Sequence, residues 1–157
     1  MSNKEVYLSK PWLKFYAQGV PGSIKYEEFC LHEMFEKSAA GFPATDALIF
    51  QGYRISYANL QKLVDSVAAF LSSQGIKKGD VVAILLPNMI QTVAAYYAVL
   101  KLGGIVQMNN PLYTDRELEH QFNDSGAKIL ITIDLLANRM IALREKTKIK
   151  QIIYTSM

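Results

Sequence analysis

The run Val81–Leu86 constrains the fold of this chain more than any other stretch. All six of its residues, VVAILL, are apolar, and turn-forming residues lie on both sides of it. A strand with one face in water alternates apolar and polar residues, whereas a strand covered on both faces is apolar throughout. The run therefore predicts a buried strand of a parallel sheet, with helices packed against both of its faces.

Helix and strand patterns alternate through the rest of the chain. We predict a helix Met89–Leu102 capped by Asn88, a strand Ile105–Met108, a helix from Thr114 to Ser125, a strand Lys128–Ile133, a helix from Asp134 to about Lys146, and a strand Ile149–Thr155. This alternation is typical of βαβ units, which join parallel strands through right-handed crossovers. We therefore predict an α/β fold, a largely parallel Rossmann-like sheet with helices on both faces.

The first half of the chain has different patterns. Residues 1–27 carry proline and glycine among aromatic residues without a sustained period, which favours an extended arm anchored by Trp12, Phe15 and Tyr16. Residues 28–157 are expected to form the α/β unit itself. Before its first buried strand we predict a helix over Leu31–Ser38, a small hairpin of Ala47–Phe50 with Tyr53–Ile55, and a helix from Ser56 to Gly75.

Local signals are densest around the helix that begins at Thr114. Thr114 and Glu117 have the spacing of a capping box, in which the hydroxyl accepts from one amide and the carboxylate from the other. Tyr113 and Leu118 occupy the two positions of a hydrophobic staple, and Gly126 is expected to end the helix. These features predict local structure and perform no chemistry.

Composition excludes several classes of protein. Half of the 157 residues are hydrophobic and the net charge is only +3, as in ordinary globular domains. The basic residues Lys77, Lys78 and 144–150 lack aromatic interleaving, so no nucleic-acid partner is predicted. The single cysteine, Cys30, fits a reducing compartment, and the first residues lack the apolar segment of a signal peptide. We expect a cytoplasmic protein.

The sequence offers few residues for catalysis or metal binding. Neither GxGxxG nor a Walker A motif occurs. His32 and His120 belong to different predicted helices, without a carboxylate or thiol at ligand spacing. Glu117 and Glu119 point apart on their helix. No catalytic residue and no metal ligand is predicted.

Four segments carry a family resemblance: KPWLKFYAQGVPGSIKY (Lys10–Tyr26), ISYANL (Ile55–Leu60), GIKKGDVVAILLPN (Gly75–Asn88) and YYAVLKLGGIVQMNNPLYT (Tyr96–Thr114). In the same order, they resemble segments of the long-chain fatty-acid–CoA ligases of the adenylate-forming, or AMP-binding, superfamily. The resemblance implies that residues 1–157 are a single N-terminal subdomain of a larger enzyme, with the C-terminal remainder absent. It also implies that the whole enzyme uses ATP and Mg²⁺ to form an acyl-adenylate and then transfers the acyl group to CoA.

The same resemblance suggests two places to look for a site. Tyr154-Thr155-Ser156 resembles the start of the family's Ser/Thr/Gly-rich phosphate loop, but we interpret it as an inner strand that precedes that loop. Arg139 is a weak candidate for contact with the CoA 3′-phosphate, because some acyl-CoA synthetases carry arginines on the corresponding helix; the alternative is a solvent-facing arginine. No cofactor is expected to bind this chain alone, and we expect it to be an inactive scaffold.

The expected partners are a fatty acid and CoA in the whole enzyme, together with the missing C-terminal part of the same polypeptide. A homodimer is compatible with the sequence, and peripheral membrane association is compatible with it but not indicated. An alternative is a self-contained nucleotide-binding module with an α/β fold. A second alternative is an interaction domain whose aromatic N-terminal arm exchanges between protomers.

Overall fold

The structure, a computed structural model, describes residues 3–156. Its helices are α1 (Asn3–Leu8), α2 (Leu31–Gly41), α3 (Tyr57–Ser73), α4 (Ile90–Lys101), α5 (Asp115–Ser125) and α6 (Ala137–Arg144). Its strands are β1 (Asp46–Phe50), β2 (Tyr53–Ser56), β3 (Val81–Leu85), β4 (Ile105–Met108), β5 (Ile129–Ile133) and β6 (Gln151–Thr155). Short 3-10 turns cover Pro11–Phe15 and Asp134–Leu136.

Four parallel strands form the central sheet, in the order β4-β3-β5-β6. β3 is therefore an inner strand, paired with β4 on one side and β5 on the other; Ile84, for example, lies opposite both Met108 and Ile131. The prediction of a parallel α/β sheet is confirmed. The predicted hairpin is confirmed too, as an antiparallel pair of β1 with β2.

Helices cover the sheet on both faces. On one face α3 and α4 pack against Val82, Ile84 and Ile131 through side chains that include Leu60, Val64, Ala95 and Val99. On the other face α5 and α6 pack against Ala83, Leu85 and Leu130 through Leu118, Phe122, Met140 and Leu143. Because neighbouring residues of a strand point to opposite faces, each apolar residue of β3 contributes to one of these two cores.

None of the helices within residues 3–156 is long and apolar enough to cross a membrane.

The helix α4 is enclosed over nearly its whole length, as predicted. No residue from Ile90 to Leu100 is exposed, and Ala98 and Val99 are fully buried. Its start differs from the prediction, since Met89 is the N-cap and Asn88 makes no cap. The hydroxyl of Thr92 turns back instead and donates to the carbonyl of Pro87 at 2.5 Å. A side chain in the first turn of α4 thus supplies a hydrogen bond to a carbonyl just before the helix.

Two other helices begin where the local signals placed them or close to it. Ser56 caps α3, its hydroxyl oxygen accepting from the amide of Asn59 at 3.4 Å. Asp134 does not cap α6 as predicted; it begins a 3-10 turn, and α6 starts at Ala137. The Asp134 carboxylate accepts from the adjacent amide of Leu135 at 2.8 Å. The 3-10 turn Asp134–Leu136 thus occupies the start of the predicted helix, and Leu136 is the N-cap of α6.

The N-terminal arm differs from the predicted extended conformation. Its described part contains the helix α1 and the 3-10 turn Pro11–Phe15, and residues 24–30 have no regular structure. The predicted anchors are not buried: Phe15 is 80% exposed, and Trp12 and Tyr16 are also exposed. Trp12 instead contacts the ring of Tyr7, with the ring centroids 5.3 Å apart. Aromatic residues signal a need for contact, but they do not specify whether the contact is local or with the domain.

Gly104 lies in the turn between α4 and β4, where its backbone passes close to Val99. A Cβ on Gly104 would lie 2.8 Å from Val99 Cγ1 and 3.1 Å from the Val99 carbonyl oxygen. We expect Gly104→Ala to lower the free energy of unfolding by about 1–3 kcal/mol, because the added carbon overpacks a closed turn. Urea denaturation followed by circular dichroism measures this.

The matched control is Gly41→Ala at the end of α2, where an added Cβ would meet no atom within 4 Å. Alanine favours the helix over glycine, so this variant should be at least as stable as the wild-type protein. Equal stability of Gly104→Ala and the wild type would show that the turn opens readily.

Candidate functional site

The carboxyl edge of the sheet is where an open parallel α/β fold binds ligands. Beyond the ends of β3 and β5 the chain diverges, because α4 returns to β4 along one face and α6 returns to β6 along the other. The loops that leave this point are residues 86–89 and the turn Asp134–Leu136. The topology therefore places the candidate site between β3 and β5.

A hydroxyl and a side-chain amide at this edge bond to the protein itself. Thr132 is fully buried, and its hydroxyl donates to the carbonyl of Leu85 at 3.2 Å, so it is not free to bind a phosphate group. The half-buried Gln91 donates from its side-chain amide to the carbonyl of Ser156 at 3.0 Å and so connects α4 to the residue after β6.

Asn109, at the end of β4, has an acceptor atom that lacks a partner. Its side chain is 5% exposed, and its amide nitrogen donates to the Gln107 carbonyl at 3.0 Å. Its backbone amide donates to the Ile84 carbonyl at 2.9 Å, while its Oδ1 is buried without a hydrogen bond to any described residue. Sequence reasoning missed this residue; a polar side chain directly after a strand and before Asn110-Pro111 was the available signal.

Arg139 connects α6 to the start of α5. Its Nε donates to Asp115 Oδ1 at 2.7 Å and its Nη2 donates to the carbonyl of Tyr113 at 2.6 Å. The side chain is 32% exposed, so it is not simply a solvent-facing arginine. The geometry assigns it a structural contact, and a contact with a CoA phosphate stays a prediction.

The capping box at α5 is confirmed. The Thr114 oxygen accepts from the Glu117 amide at 3.4 Å, and Glu117 Oε2 accepts from the Thr114 amide at 2.7 Å. The Thr114 hydroxyl also donates to that carboxylate at 2.7 Å. Hydrogen bonds from the Thr114 backbone and then from its side chain hold the pKa of Glu117 below its ordinary value. Glu117 is thus a capping residue, and Gly126 ends the helix at φ 69° as predicted.

Lys101, the last residue of α4, forms ion pairs with α2 and α3. Its Nζ lies 2.6 Å from Glu36 of α2 and 2.7 Å from Asp65 of α3. Hydrogen bonds to Asp65 and then to Glu36 raise the pKa of Lys101, against a smaller opposing effect of burial. A lysine with a raised pKa stays protonated and is a poor nucleophile. Lys101 therefore has a structural role.

Tyr97 is the third side chain within residues 3–156 whose pKa is shifted. Its ring stacks on Phe35 at a centroid distance of 4.5 Å and meets the edge of Tyr96 at 5.5 Å. Burial, and then the neighbouring Tyr96 and Tyr57, raise the pKa of Tyr97. The phenol remains protonated at neutral pH, so it contributes packing to the core and is not positioned as a general base.

The remaining candidates are separated in the structure. His32 lies on α2 and His120 on α5, and within residues 3–156 no three His, Cys, Asp or Glu side chains come together as a metal site would require. Tyr154 and Thr155 are the last residues of β6, so the expected strand is present. Within the described sheet β6 is an edge strand and not the inner strand we predicted; that a phosphate loop follows it stays a prediction.

Two shallow apolar grooves lie beside the carboxyl half of the sheet. One, of about 270 Å³, separates the β1–β2 hairpin from α4 and is lined by Leu48, Phe50, Met89 and Val93. The other, of about 210 Å³, runs along β6 and is lined by Val67, Phe70, Ile131 and Ile153. Neither groove contains an ionisable side chain, so both can hold apolar groups but cannot activate them.

Both a family model and a curated relative match this chain. The family model described as AMP-binding enzyme matches residues 35–156. A long-chain-fatty-acid–CoA ligase of Bacillus subtilis is 40% identical over 148 residues, which are 94% of this chain and 26% of that ligase. The chain belongs to the AMP-binding enzyme family.

Solved structures agree with the fold. A long-chain-fatty-acid–CoA ligase of Archaeoglobus fulgidus superposes with a TM-score of 0.79 at 24% identity, over 89% of this chain and 30% of that one. A fatty acyl CoA synthetase of Mycobacterium tuberculosis superposes with a TM-score of 0.75 at 26% identity, over 80% of this chain and 26% of that one. The chain thus spans about a quarter of the length of the curated ligases it matches.

The capping box supplies a prediction with a pH dependence. Thr114→Ala removes the oxygen that accepts from the Glu117 amide and should lower the free energy of unfolding by about 1 kcal/mol at neutral pH. Because the pKa of Glu117 is lowered in the folded state, the stabilisation by its carboxylate is present above pH 4.5, the ordinary value, and is lost as the pH falls through the folded value. The difference between variant and wild type should therefore narrow below pH 4.5.

Urea titrations at several pH values test this expectation. Ser66→Ala is the control, since its exposed hydroxyl donates to the Lys62 carbonyl within α3 and caps nothing; we expect a change below about 0.5 kcal/mol. A Thr114→Ala difference that is independent of pH would show that the hydroxyl does not act through the Glu117 carboxylate.

The contact between Arg139 and α5 supplies a second prediction. Arg139→Ala should cost about 1 kcal/mol, mainly by removing the hydrogen bond to the Tyr113 carbonyl, because the Asp115 carboxylate is 65% exposed and its ion pair is screened. Amide hydrogen exchange of residues 112–118 should accelerate. The control is Arg116→Ala on the exposed side of α5, which should change neither the stability nor the exchange rates. Equal exchange rates in the Arg139→Ala and Arg116→Ala variants would contradict the contact.

Proposed function

We propose that this chain is the N-terminal portion of a long-chain fatty-acid–CoA ligase. The observation that supports this most is 40% identity with a protein of that name across 94% of the chain, combined with the family match over residues 35–156. In the proposed reaction the whole enzyme activates a fatty acid with ATP and Mg²⁺, and the resulting acyl-adenylate then reacts with CoA.

The described residues do not fit ATP or Mg²⁺ by themselves. Phosphate binding needs several converging donors, but the hydroxyls of Thr132 and Thr92 donate to protein carbonyls. Mg²⁺ needs oxygen ligands that include carboxylates, but within residues 3–156 no three His, Cys, Asp or Glu side chains come together. We therefore assign no step of the reaction to these residues.

The role that follows for this part of the enzyme is that of a scaffold. The bracing of the carboxyl edge by Thr132 and Gln91 keeps the ends of β3, β5 and β6 in a constant relation. A rigid edge can position catalytic loops that other parts of a polypeptide supply. We include as proposals the fatty acid, CoA and the remaining polypeptide as partners, a homodimer, and a cytoplasmic location.

The self-contained nucleotide-binding module is the less favoured alternative. Such modules carry a hydroxyl-rich or acidic loop after the first buried strand, whereas Leu86-Pro87-Asn88 follows β3 here. The family match also covers most of the chain, from residue 35 to residue 156. A contact between Arg139 and CoA remains part of the proposal; in the whole enzyme an unchanged KM for CoA in Arg139→Lys would leave only its structural role.

We predict that the 157-residue chain alone neither forms acyl-CoA nor binds ATP·Mg²⁺ more tightly than about 1 mM. Calorimetric titration measures the affinity, and a pyrophosphate-release assay with a long-chain fatty acid and CoA measures the activity. A curated ligase of the same family, tested in parallel, is the positive control. Micromolar ATP binding that is independent of fatty acid would favour the nucleotide-binding module, and acyl-CoA formation would refute the scaffold.

A further inference from the structure

A pair of lysines lies at the opposite, amino edge of the sheet. Lys128 immediately precedes β5 and Lys150 immediately precedes β6. The backbone amides of Lys150 and Gln151 both donate to the carbonyl of Lys128, at 2.7 and 3.2 Å. The two lysines are therefore direct neighbours across a strand pair, where like charges are destabilising unless something compensates them.

Neither of these two charges forms an ion pair with a carboxylate within residues 3–156. Both lysines are exposed, and neither ammonium takes part in the ion pairs or side-chain hydrogen bonds of residues 3–156. Lys77 and Lys78 lie in the turn that precedes β3, at the same amino edge of the sheet. An unpaired cluster of cations at one edge of a sheet raises the local concentration of anions.

The two lysines border a cavity of about 240 Å³ whose other walls are firmly held. Gln151 Nε2 donates to Gln74 Oε1 at 2.6 Å across one wall. Asp80, the acidic residue of the lining, accepts from the amide of Lys77 at 2.8 Å. With one carboxylate against two ammonium groups, the lining has an excess positive charge.

The nearby end of α3 does not remove this charge. Helix C-termini attract cations through unpaired carbonyls, but here the amides of residues 74–76 donate back to the last turn, including Ile76 to Leu71 at 3.2 Å and Gly75 to Ser72 at 2.9 Å. The carbonyls of residues 70–72 accept these backbone hydrogen bonds, and neither ammonium group bonds to this helix end within residues 3–156.

We propose that this cavity binds a phosphoryl oxyanion between Lys128 and Lys150. A phosphoryl group offers three acceptor oxygens, so one group can accept from both ammonium ions and remove their repulsion. Lysine binds phosphate as a point charge and needs no exact geometry. The site lies at the opposite edge of the sheet from the carboxyl edge and is independent of the proposed function.

The experiment titrates the ¹⁵N-labelled 157-residue chain with inorganic pyrophosphate at constant ionic strength, which is maintained with chloride to hold screening fixed. We expect saturable shifts of the amides of residues 74–76, 128 and 150–151. The double variant Lys128→Gln, Lys150→Gln should bind at least about tenfold more weakly. It should also fold, since it removes a repulsion, and its denaturation midpoint shows this directly.

The control variant Lys25→Gln, Lys62→Gln loses the same two positive charges as the Lys128→Gln, Lys150→Gln variant. Its two altered positions are exposed and lie outside the cavity. Its affinity for pyrophosphate should equal that of the wild type. Equal weakening in both variants would show that the attraction is diffuse, and an absence of saturable shifts at these amides would show that there is no site; either result overturns the proposal. A second titration with ADP distinguishes a free oxyanion from one carried by a nucleotide, because only the latter gains affinity from the nucleoside.

Discussion

Burial of β3 between two layers of helices is the constraint on which the rest of the structure depends. Its backbone pairs with β4 and β5, and its side chains point alternately into the two cores. A polar residue in β3 would lie unpaired in one of these cores. The helices on the two faces are in turn needed to cover it, and this explains why α4 is enclosed nearly all round while α5 is apolar on one edge alone.

The polar groups of the fold follow from the same burial. Thr132 and Asn109 lie next to β3 without access to water, so their donors bond to the carbonyls of Leu85 and Gln107. Such bonds stiffen the carboxyl edge and leave few groups for ligands.

Charge is distributed differently at the two edges of the sheet. At the carboxyl edge Arg139 and Asp115 are paired, and the Glu117 carboxylate is held by Thr114. At the amino edge Lys128 and Lys150 are adjacent, and neither has an acidic partner among the described residues. Paired charges join elements of the fold, whereas adjacent like charges require an external anion or a continuing cost in stability.

The sequence alone determined the helices and strands from α2 to β6 and their order, but not α1 or the 3-10 turns. Apolar runs, periodicity, the Thr114–Glu117 capping box and Gly126 are local signals, because the atoms that satisfy them lie within a few residues. Tertiary structure decided what depends on distant partners: whether Trp12 and Phe15 pack on the domain, which groups Arg139 bonds, and that Asn109 is buried. It also brought Lys128 beside Lys150, since the neighbours of a strand depend on the order of strands in the sheet, which no local pattern specifies.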